Sequence, residues 1–303
     1  MDEKIIVDSK EPVRLDRFVR RIYPNITQGI LEKLLRKGLV KLNQKKTKSN
    51  ARISYGDVIN IRCENLDQYR KSNDNKKSFS RNIVSLADKL LSDYLLFSSE
   101  NIIAIDKPAG LAVQGGSKIS ISIDDALQYI NSTQGTDFKL VHRLDKETSG
   151  ALLIAKDGQA AAKIGNAFKE GLIKKTYIAV ICGCPDSLEG TLINNIGKDR
   201  SGIFEIVKEL SDGGKIAKTQ YKVLQSSHNM SLVEFQPLTG RMHQLRFHSK
   251  LLGCSIFGDE KYGGKKHSRM MLHAKSITIN HEMFDKKIAI ESKLPKEFTR
   301  IVN

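Results

Sequence analysis

The chain has 303 residues, with 50 Lys and Arg against 34 Asp and Glu, and its formal net charge is +16. At roughly 100 to 200 residues per domain, this length predicts about two domains. The basic excess favours a polyanionic partner, because each phosphate that Lys or Arg neutralises releases a condensed counterion. No apolar stretch approaches the roughly 18 residues of a membrane-spanning helix, and the first residues lack the apolar core of a signal peptide. We therefore expect a cytoplasmic protein with no membrane partner.

The N-terminal segment has the pattern of two short helices followed by short strands. Apolar and charged residues alternate at helical spacing over 14–22, and a second apolar stripe runs over 27–37. Thr27 is a suitable N-cap for that second helix, and Gly38 is a typical stop signal. Strands are predicted over 39–44 and 55–61, on either side of a basic turn. Taken alone, the many exposed lysines and arginines indicate no more than solvated faces.

Four features of this segment resemble the S4 RNA-binding domain. They are a helix that ends at Gly38, Val40 with Asn43 in the next strand, the basic Lys45–Lys46 turn, and a closing strand that opens with Gly56–Ile59. The resemblance implies that residues 1–66 form a small α/β module that binds RNA. The residues expected to contact RNA are Arg17, Arg36, Lys37, Lys41 and Lys45.

Residues 67–80 are polar, basic and almost free of large apolar groups. Such a segment buries too little surface to offset its ordering entropy, so it is predicted to be a flexible linker. A second domain over residues 81–303 follows. Its pattern is a strand, a Pro-Gly turn and a second strand over 101–113, then strands at 151–155, 175–182, 219–224 and 231–236 and a helix at 158–169. Strands outnumber helices without regular β-α-β alternation, which predicts an α+β fold around a largely antiparallel, mixed sheet.

Two polar segments are dense enough to form a site. The first, VHRLDKETSG at 141–150, stands directly before the apolar run 151–155 and could be a solvated turn or an active-site loop. The second, PLTGRMHQLRFH at 237–248, is a turn followed by a basic helix that we expect to run to about residue 252. Backbone N–H groups and two outward arginines at such a helix start would suit a phosphate or carboxylate. The alternative is a surface helix with incidental charge.

Several common sites are missing from the sequence. No G-x-G-x-x-G follows a strand, and the segment closest to a P-loop, residues 258–264, has Gly where the lysine should be. His243 and His248 are five residues apart, about 140° around a helix axis, so they do not share a face for zinc. No G-x-S-x-G is present. We therefore predict a reaction without a nucleotide, other cofactor or metal.

Three motifs in chain order resemble the RluA-type pseudouridine synthases: H-R-L-D-x-x-T-S-G at His142–Gly150, K-T-Y at Lys175–Tyr177 and T-G-R-x-H-Q-L-R-x-H at Thr239–His248. The resemblance covers about residues 101–298 and implies the pseudouridine synthase fold. With an S4-like module in front, the chain is similar to the RluC branch, which modifies large-subunit ribosomal RNA. Shorter motifs also fit the family: D-K-P-A-G at Asp106–Gly110, G-D-x-x-Y-G at Gly258–Gly263 and L-H-A at Leu272–Ala274.

The resemblance implies roles for individual residues. Asp145 matches the catalytic aspartate, a nucleophile or base acting on a flipped-out uridine, and Arg246 matches the arginine that keeps this carboxylate charged. Tyr177 matches the tyrosine that stacks on the uracil, and Arg143 the arginine that fills the vacated base stack. The residues expected to bind substrate are Arg143, Leu245, Arg241, His243 and Gln244.

Other functions remain open from the sequence. The catalytic core does not choose the RNA, so a synthase acting on transfer RNA is the first alternative. A ribosome assembly factor that binds RNA without catalysis is the second, although pure binding does not require an aspartate in a phosphate-lined cleft. The favoured interpretation is a monomeric, cofactor-free pseudouridine synthase whose partner is large-subunit ribosomal RNA.

Overall fold

The computed structural model describes residues 2–9, 11–70, 79–116, 119–199, 206–227, 229–280 and 287–302. Two compact units divide the chain, Met1–Ser78 and Phe79–Asn303. In the described ranges no helix is long and apolar enough to cross a membrane.

The first unit packs two helices and a 3-10 helix against a small antiparallel sheet. Thr27 caps the second helix, since its hydroxyl accepts a hydrogen bond from the Ile30 backbone N–H at 3.3 Å. Gly38 follows that helix at a φ of +69°, where glycine meets no steric cost. The elements are β1 (Asp2–Ile6), β2 (Val13–Arg14), α1 (Leu15–Ile22), α2 (Gln28–Arg36), β3 (Val40–Leu42), β4 (Lys45–Lys46), β5 (Arg52–Ile53), β6 (Val58–Arg62) and a 3-10 helix (Leu66–Tyr69).

Strand order in the main sheet of this unit is β1-β6-β3-β4, while β2 and β5 pair separately. Successive residues of β6 point to opposite faces of the sheet. Ile59 and Ile61 are in the core, whereas Asn60 lies on the opposite face. The core is completed by apolar residues of both helices, among them Leu15, Phe18 and Leu31.

The predicted linker starts too early. The 3-10 helix contains residues 67–69 and begins at the fully buried Leu66. Arg70 forms an ion pair with Glu3, and its carbonyl accepts a hydrogen bond from the Asn25 side chain at 3.2 Å. At the other end of the predicted linker, Ser80 already caps the next helix. The remaining residues, 71–78, lie outside the described part of the chain.

The second unit contains one large sheet with helices around it. Its helices are α3 (Arg81–Leu91), α4 (Ile123–Gln134), α5 (Gly158–Lys169), α6 (Gln244–Leu251) and α7 (Lys296–Arg300), with a 3-10 helix at Glu260–Tyr262. Its strands are β7 (Leu95–Ser98), β8 (Ile102–Lys107), β9 (Lys139–Leu140), β10 (Ser149–Ala155), β11 (Ile173–Cys182), β12 (Glu189–Asp199), β13 (Ile206–Glu209), β14 (Lys215–Ser227), β15 (Met230–Pro237), β16 (Leu272–Ile279) and β17 (Ile288–Glu291).

The main strand order is β13-β12-β14-β15-β11-β16-β10-β8-β7, with β17 beside β16 and β9 beside β10. Every described pairing is antiparallel except that of β10 with β16. The predicted α+β class with a largely antiparallel, mixed sheet is therefore confirmed. The buried strand β10, whose seven residues are all in the core, lies between β16 and β8.

One predicted element does not form. The second strand expected after the Pro-Gly turn is reduced to an isolated bridge between Ala112 and Ser122. Backbone groups that would pair in a sheet are used otherwise here: the Ala112 and Val113 carbonyls accept hydrogen bonds from the start of α4, at Ile123 and Asp124. Helix α4 was not predicted, although Ser122 and Asp125 form a capping box there.

Candidate active site

The sheet brings the polar motifs of the sequence together on three adjacent strands. Gly150 of β10 pairs with Ala274 of β16, and Ala274 pairs in turn with Tyr177 of β11. A β-bulge between Thr176 and Tyr177 shifts the register at that point, and bulges commonly redirect a side chain near a functional site. The loop that precedes Gly150 and the tyrosine of the K-T-Y motif are therefore held in fixed register.

Gly150 makes this arrangement possible. Its φ is +108°, and a Cβ atom at this position would lie 2.2 Å from the Ala274 carbonyl oxygen. Real Cβ atoms do not approach so closely, so a side chain would push β10 and β16 apart. The glycine of the H-R-L-D-x-x-T-S-G motif is required by this close approach of two backbones.

The loop containing Asp145 is held by backbone and side-chain hydrogen bonds. A tight turn closes it, with the Thr148 N–H donating to the Asp145 carbonyl at 3.1 Å. The Lys146 carbonyl accepts from the Gly110 N–H at 2.9 Å and from Lys107 Nζ at 3.0 Å. Lys107 is fully buried and also donates to the carbonyls of Pro108 and Leu111. Burial lowers the pKa of Lys107 to about 7, against the charges of Glu147 and Asp145, which raise it.

The Asp145 carboxylate faces two nitrogen groups without a hydrogen bond to either. Arg246 Nη1 lies 3.6 Å from Oδ2, and His243 Nε2 lies 3.9 Å from the same atom. Neither carboxylate oxygen accepts a hydrogen bond from the described residues. With 22% of its side chain exposed, Asp145 thus presents a carboxylate that a ligand can reach. This is the geometry required of a nucleophile or a base.

Arg246 is buried, contrary to the expectation of two outward arginines at the start of this helix. Its Nε and Nη2 donate to the two oxygens of Asp259, each at 2.6 Å, and its guanidinium lies 4.9 Å from the centre of the Tyr262 ring. Two parallel bonds of this kind fix both the position and the plane of a guanidinium. The remaining Nη1 faces Asp145, so Arg246 links the two carboxylates.

Tyr177 is half-buried and belongs to the apolar cluster that contains Leu245 and Phe235. Burial, and then the negative charge of Asp145, raise the pKa of the Tyr177 hydroxyl well above its usual value. The side chain is therefore a neutral phenol at physiological pH.

The other predicted substrate-binding residues fall into two groups. Arg143 and Arg241 are exposed, and Arg241 Nε donates to the Ile216 carbonyl at 3.0 Å. Gln244, by contrast, is 4% exposed, and its amide is fully occupied. Its Oε1 accepts from the Thr239 hydroxyl and the Arg241 N–H, while its Nε2 donates to the Lys218 carbonyl and the Thr219 hydroxyl. We assign Gln244 to shaping the turn before α6 rather than to binding substrate.

A buried chain of side-chain hydrogen bonds, the polar relay, lies next to the Gly150–Ala274 strand junction. His273, 1% exposed, makes hydrogen bonds to the hydroxyls of Ser149 at 2.9 Å and Ser292 at 3.0 Å. Ser149 also accepts from Arg269, and Ser292 donates to Asp106. The relay connects the H-R-L-D-x-x-T-S-G, D-K-P-A-G and L-H-A motifs through side-chain hydrogen bonds.

Three site residues received no role from the sequence: Lys107, Asp259 and Tyr262. Each lies in a short motif that the sequence analysis recorded, D-K-P-A-G or G-D-x-x-Y-G. Their partners are distant in sequence, since Asp259 is 13 residues and Tyr262 16 residues beyond Arg246 along the chain (259 − 246 and 262 − 246). Among the described residues, no group of three His, Cys, Asp or Glu side chains could hold a metal ion.

The chain is similar to known proteins in sequence and in fold. Residues 101–251 match the family described as RNA pseudouridylate synthase. The chain is 49% identical to the ribosomal large subunit pseudouridine synthase C of Rickettsia bellii, over 98% of this chain and 99% of that protein. It is 28% identical to the protein of the same name in Vibrio vulnificus, over 98% and 95% of the two chains.

Among solved structures, the fold matches human RNA pseudouridylate synthase domain containing 4 with a TM-score of 0.60 and 28% identity. That match covers 72% of this chain and 94% of the human one. The chain therefore belongs to the RNA pseudouridylate synthase family, as the family match and the near full-length likeness show.

Proposed function

We propose that this pseudouridine synthase isomerises uridines of large-subunit ribosomal RNA and that Asp145 is its catalytic group. The observation that carries the proposal is the position of the Asp145 carboxylate, which is 22% exposed, faces Arg246 at 3.6 Å and accepts no hydrogen bond from the described residues. The choice of RNA is supported by the relatives, which are named ribosomal large subunit pseudouridine synthase C and align over nearly the whole chain.

The reaction breaks the N1–C1′ bond of uridine, turns the uracil and joins it to C1′ through C5, after which the C5 proton is lost. The carboxylate of Asp145 could attack C1′, attack C6 of the base or remove a ribose proton. All three routes require an ionised carboxylate with one accessible oxygen. Arg246 supplies a positive charge beside that carboxylate.

A uridine in a folded stem must leave its stack before it can reach this pocket, at a cost of a few kcal/mol. We assign Tyr177 to stacking on the flipped uracil, and its neutral phenol could relay the proton that leaves C5. Leu245, in the same apolar cluster as Tyr177, supplies the wall of the pocket. Arg143 is exposed two residues before Asp145, where it can fill the vacated stack and contact phosphate.

The first unit is proposed to bind RNA in the manner of an S4 domain. All five predicted contact residues are exposed: Arg17, Arg36, Lys37, Lys41 and Lys45. Lys41 lies directly opposite Lys46 in the pairing of β3 with β4. Like charges directly opposite each other destabilise a sheet. A bound polyanion such as RNA would neutralise both lysines and relieve this repulsion, which supports a binding role for this face.

Release of tritium from C5-tritiated uridine in large-subunit ribosomal RNA tests the proposal. Wild type should release tritium from this RNA and not from transfer RNA. Asp145→Asn, which is isosteric, should release none while its RNA affinity stays within a few fold, because phosphate contacts dominate the interface. Turnover by Asp145→Asn would exclude the aspartate as the catalytic group. Wild-type release from transfer RNA alone would overturn the choice of substrate, and release from neither RNA would favour a binding factor.

A further inference from the structure

His243 occupies a position between the catalytic carboxylate and a buried tyrosine. Its Nε2 is 3.9 Å from Asp145 Oδ2, and its Nδ1 is 3.0 Å from the Tyr262 hydroxyl. That hydroxyl also accepts a hydrogen bond from the Val207 backbone N–H of β13 at 2.8 Å. A chain of three contacts thus runs from the outer strand β13 to Asp145.

The direction of the hydrogen bonds in this chain follows from which groups can donate. A backbone N–H can only donate, so the Tyr262 oxygen accepts from Val207. Tyr262 is 2% exposed, and within the described residues its hydroxyl has one further polar neighbour, His243 Nδ1. A buried O–H without an acceptor is costly, so the Tyr262 proton is directed at Nδ1. A neutral imidazole that accepts at Nδ1 carries its own proton on Nε2.

We propose that Tyr262 fixes His243 as the neutral tautomer protonated on Nε2, and that this N–H, which faces Oδ2, helps to position the carboxylate of the catalytic Asp145. The proposal rests on the proposed function of Asp145. The Nε2–H group and the Arg246 guanidinium then face the carboxylate together, at 3.9 and 3.6 Å from Oδ2. Attraction from two directions limits rotation of the carboxylate about its Cβ–Cγ bond more than attraction from Arg246 alone.

The surroundings keep His243 neutral and Tyr262 protonated, as the proposal requires. Burial lowers the pKa of His243 to about 4, against the opposing charge of Asp145. Arg246 and Lys261 lower it further, and Asp259 raises it. Burial also raises the pKa of Tyr262 to about 12. At neutral pH the imidazole is uncharged and the phenol retains the proton that it donates.

Nitrogen NMR of the full-length protein labelled with 15N-histidine tests the tautomer directly. Long-range proton–nitrogen correlations distinguish a protonated from an unprotonated ring nitrogen, and the signal of His243 among the seven histidines is identified by its loss in His243→Asn. We expect wild type at pH 7.5 to have the proton on Nε2 alone. Tyr262→Phe should give a mixture of tautomers. A wild-type proton on Nδ1 would overturn the proposal.

A matched pair of substitutions tests the positioning role. Gln places an amide nitrogen near the position of Nε2, whereas Asn reaches only as far as Nδ1. His243 has a φ of +50°, a conformation that Asn adopts more readily than other non-glycine residues, so His243→Asn should fold at least as well as His243→Gln. We expect His243→Asn to lower kcat for tritium release by about 10- to 100-fold, the size of effect that loss of positioning produces. His243→Gln should stay within about threefold of wild type, and RNA affinity should be unchanged in both.

The outcomes separate this proposal from the proposed function. Equal kcat values for His243→Asn and wild type would reject the positioning role while leaving Asp145 as the catalytic group. Equal losses in His243→Asn and His243→Gln would also reject it, because the donor at Nε2 would then be irrelevant. If wild type isomerised no uridine, the proposed function would fail and the positioning role with it, whereas the tautomer would still be decided by the NMR measurement.

Discussion

Arg246 and Asp259 form a buried bidentate ion pair in which both N···O distances are 2.6 Å. Arg246 is 6% exposed and Asp259 2%. The pair leaves one guanidinium nitrogen, Nη1, facing Asp145. A cation that served Asp145 alone could move with solvent or substrate. Here Asp259 sets the plane of the guanidinium before any RNA binds, so the electrostatic environment of Asp145 is preorganised.

The first prediction concerns this pair. Asp259→Asn keeps the shape of the side chain but leaves a buried arginine without its charged partner, which should destabilise the second unit by about 3 kcal/mol. Because Arg246 loses its fixed orientation, kcat for tritium release should fall at least about tenfold. Urea unfolding and the tritium assay check the two effects. Glu260→Gln is the control, since it removes a charge from the next, exposed residue and should change neither quantity.

The second prediction concerns the strand junction at Gly150. Gly150→Ala places a Cβ atom 2.2 Å from the Ala274 carbonyl at a φ of +108°, so the two strands must separate. We expect the free energy of unfolding to fall by more than about 2 kcal/mol and tritium release to fall with it, because Tyr177 shares this register.

Gly165→Ala provides the comparison for that substitution. Gly165 lies inside α5, and a Cβ atom there would meet nothing within 4 Å. Alanine should stabilise that helix by about 0.5 to 1 kcal/mol. If the two alanine variants unfolded at the same urea concentration, the close approach at Gly150 would not matter to the fold.

Local features of this fold follow from the sequence, while contacts between distant segments do not. The predicted bounds of α5, Gly158–Lys169, are confirmed because an apolar stripe and a capping Asp157 coincide there. Strand β3 is shorter than the predicted 39–44, since Asn43 and Gln44 adopt positive φ values and turn the chain. Nothing in the local pattern specifies that turn beyond the preference of Asn for such a conformation.

In the site, too, residues within a motif could be predicted from the sequence, whereas contacts between distant residues could not. Asp145, Tyr177 and Arg246 could be assigned from their motifs by resemblance. The burial of Arg246 could not, because a helix with arginines at its start has the same pattern whether those arginines face water or a carboxylate. Its partner, Asp259, reaches it only through the turn that follows α6. His243 was assigned to substrate, and the tyrosine that fixes its tautomer became visible only once Tyr262 and Val207 were adjacent.

The third prediction is a pH dependence from His142. Its Nε2 accepts a hydrogen bond from the Leu153 N–H at 2.8 Å, and burial lowers its pKa to about 3. Between that value and the unfolded pKa near 6.5, the unfolded chain binds more protons at this residue than the folded chain does. The contribution of His142 to the free energy of unfolding is therefore fully present above about pH 6.5 and is lost as pH falls. From pH 7 to pH 5 this residue should account for a loss of up to about 2 kcal/mol.

His142→Gln removes the titrating group and keeps an acceptor for Leu153. Urea unfolding of the two proteins at pH 7 and pH 5 checks the prediction. The variant should lose less stability over this interval than wild type. A loss of equal size in both proteins would place the acid sensitivity in other groups, such as His273, whose pKa burial lowers to about 4.

The fourth prediction separates binding from folding in the first unit. Lys41 and Lys46 are directly opposite on β3 and β4, and both are exposed. Lys41→Gln removes this repulsion and should raise the free energy of unfolding of the first unit by a few tenths of a kcal/mol. If Lys41 contacts phosphate, the same change should weaken RNA binding and reduce the slope of log K against log salt by about 0.7 to 0.9.

Lys163→Gln, on the exposed face of α5, is the control that removes the same charge elsewhere, and it should leave the slope unchanged. Because the two expected effects have opposite signs, a weaker complex could not be attributed to a less stable protein. Unchanged affinity and slope in Lys41→Gln would remove this lysine from the RNA-binding surface.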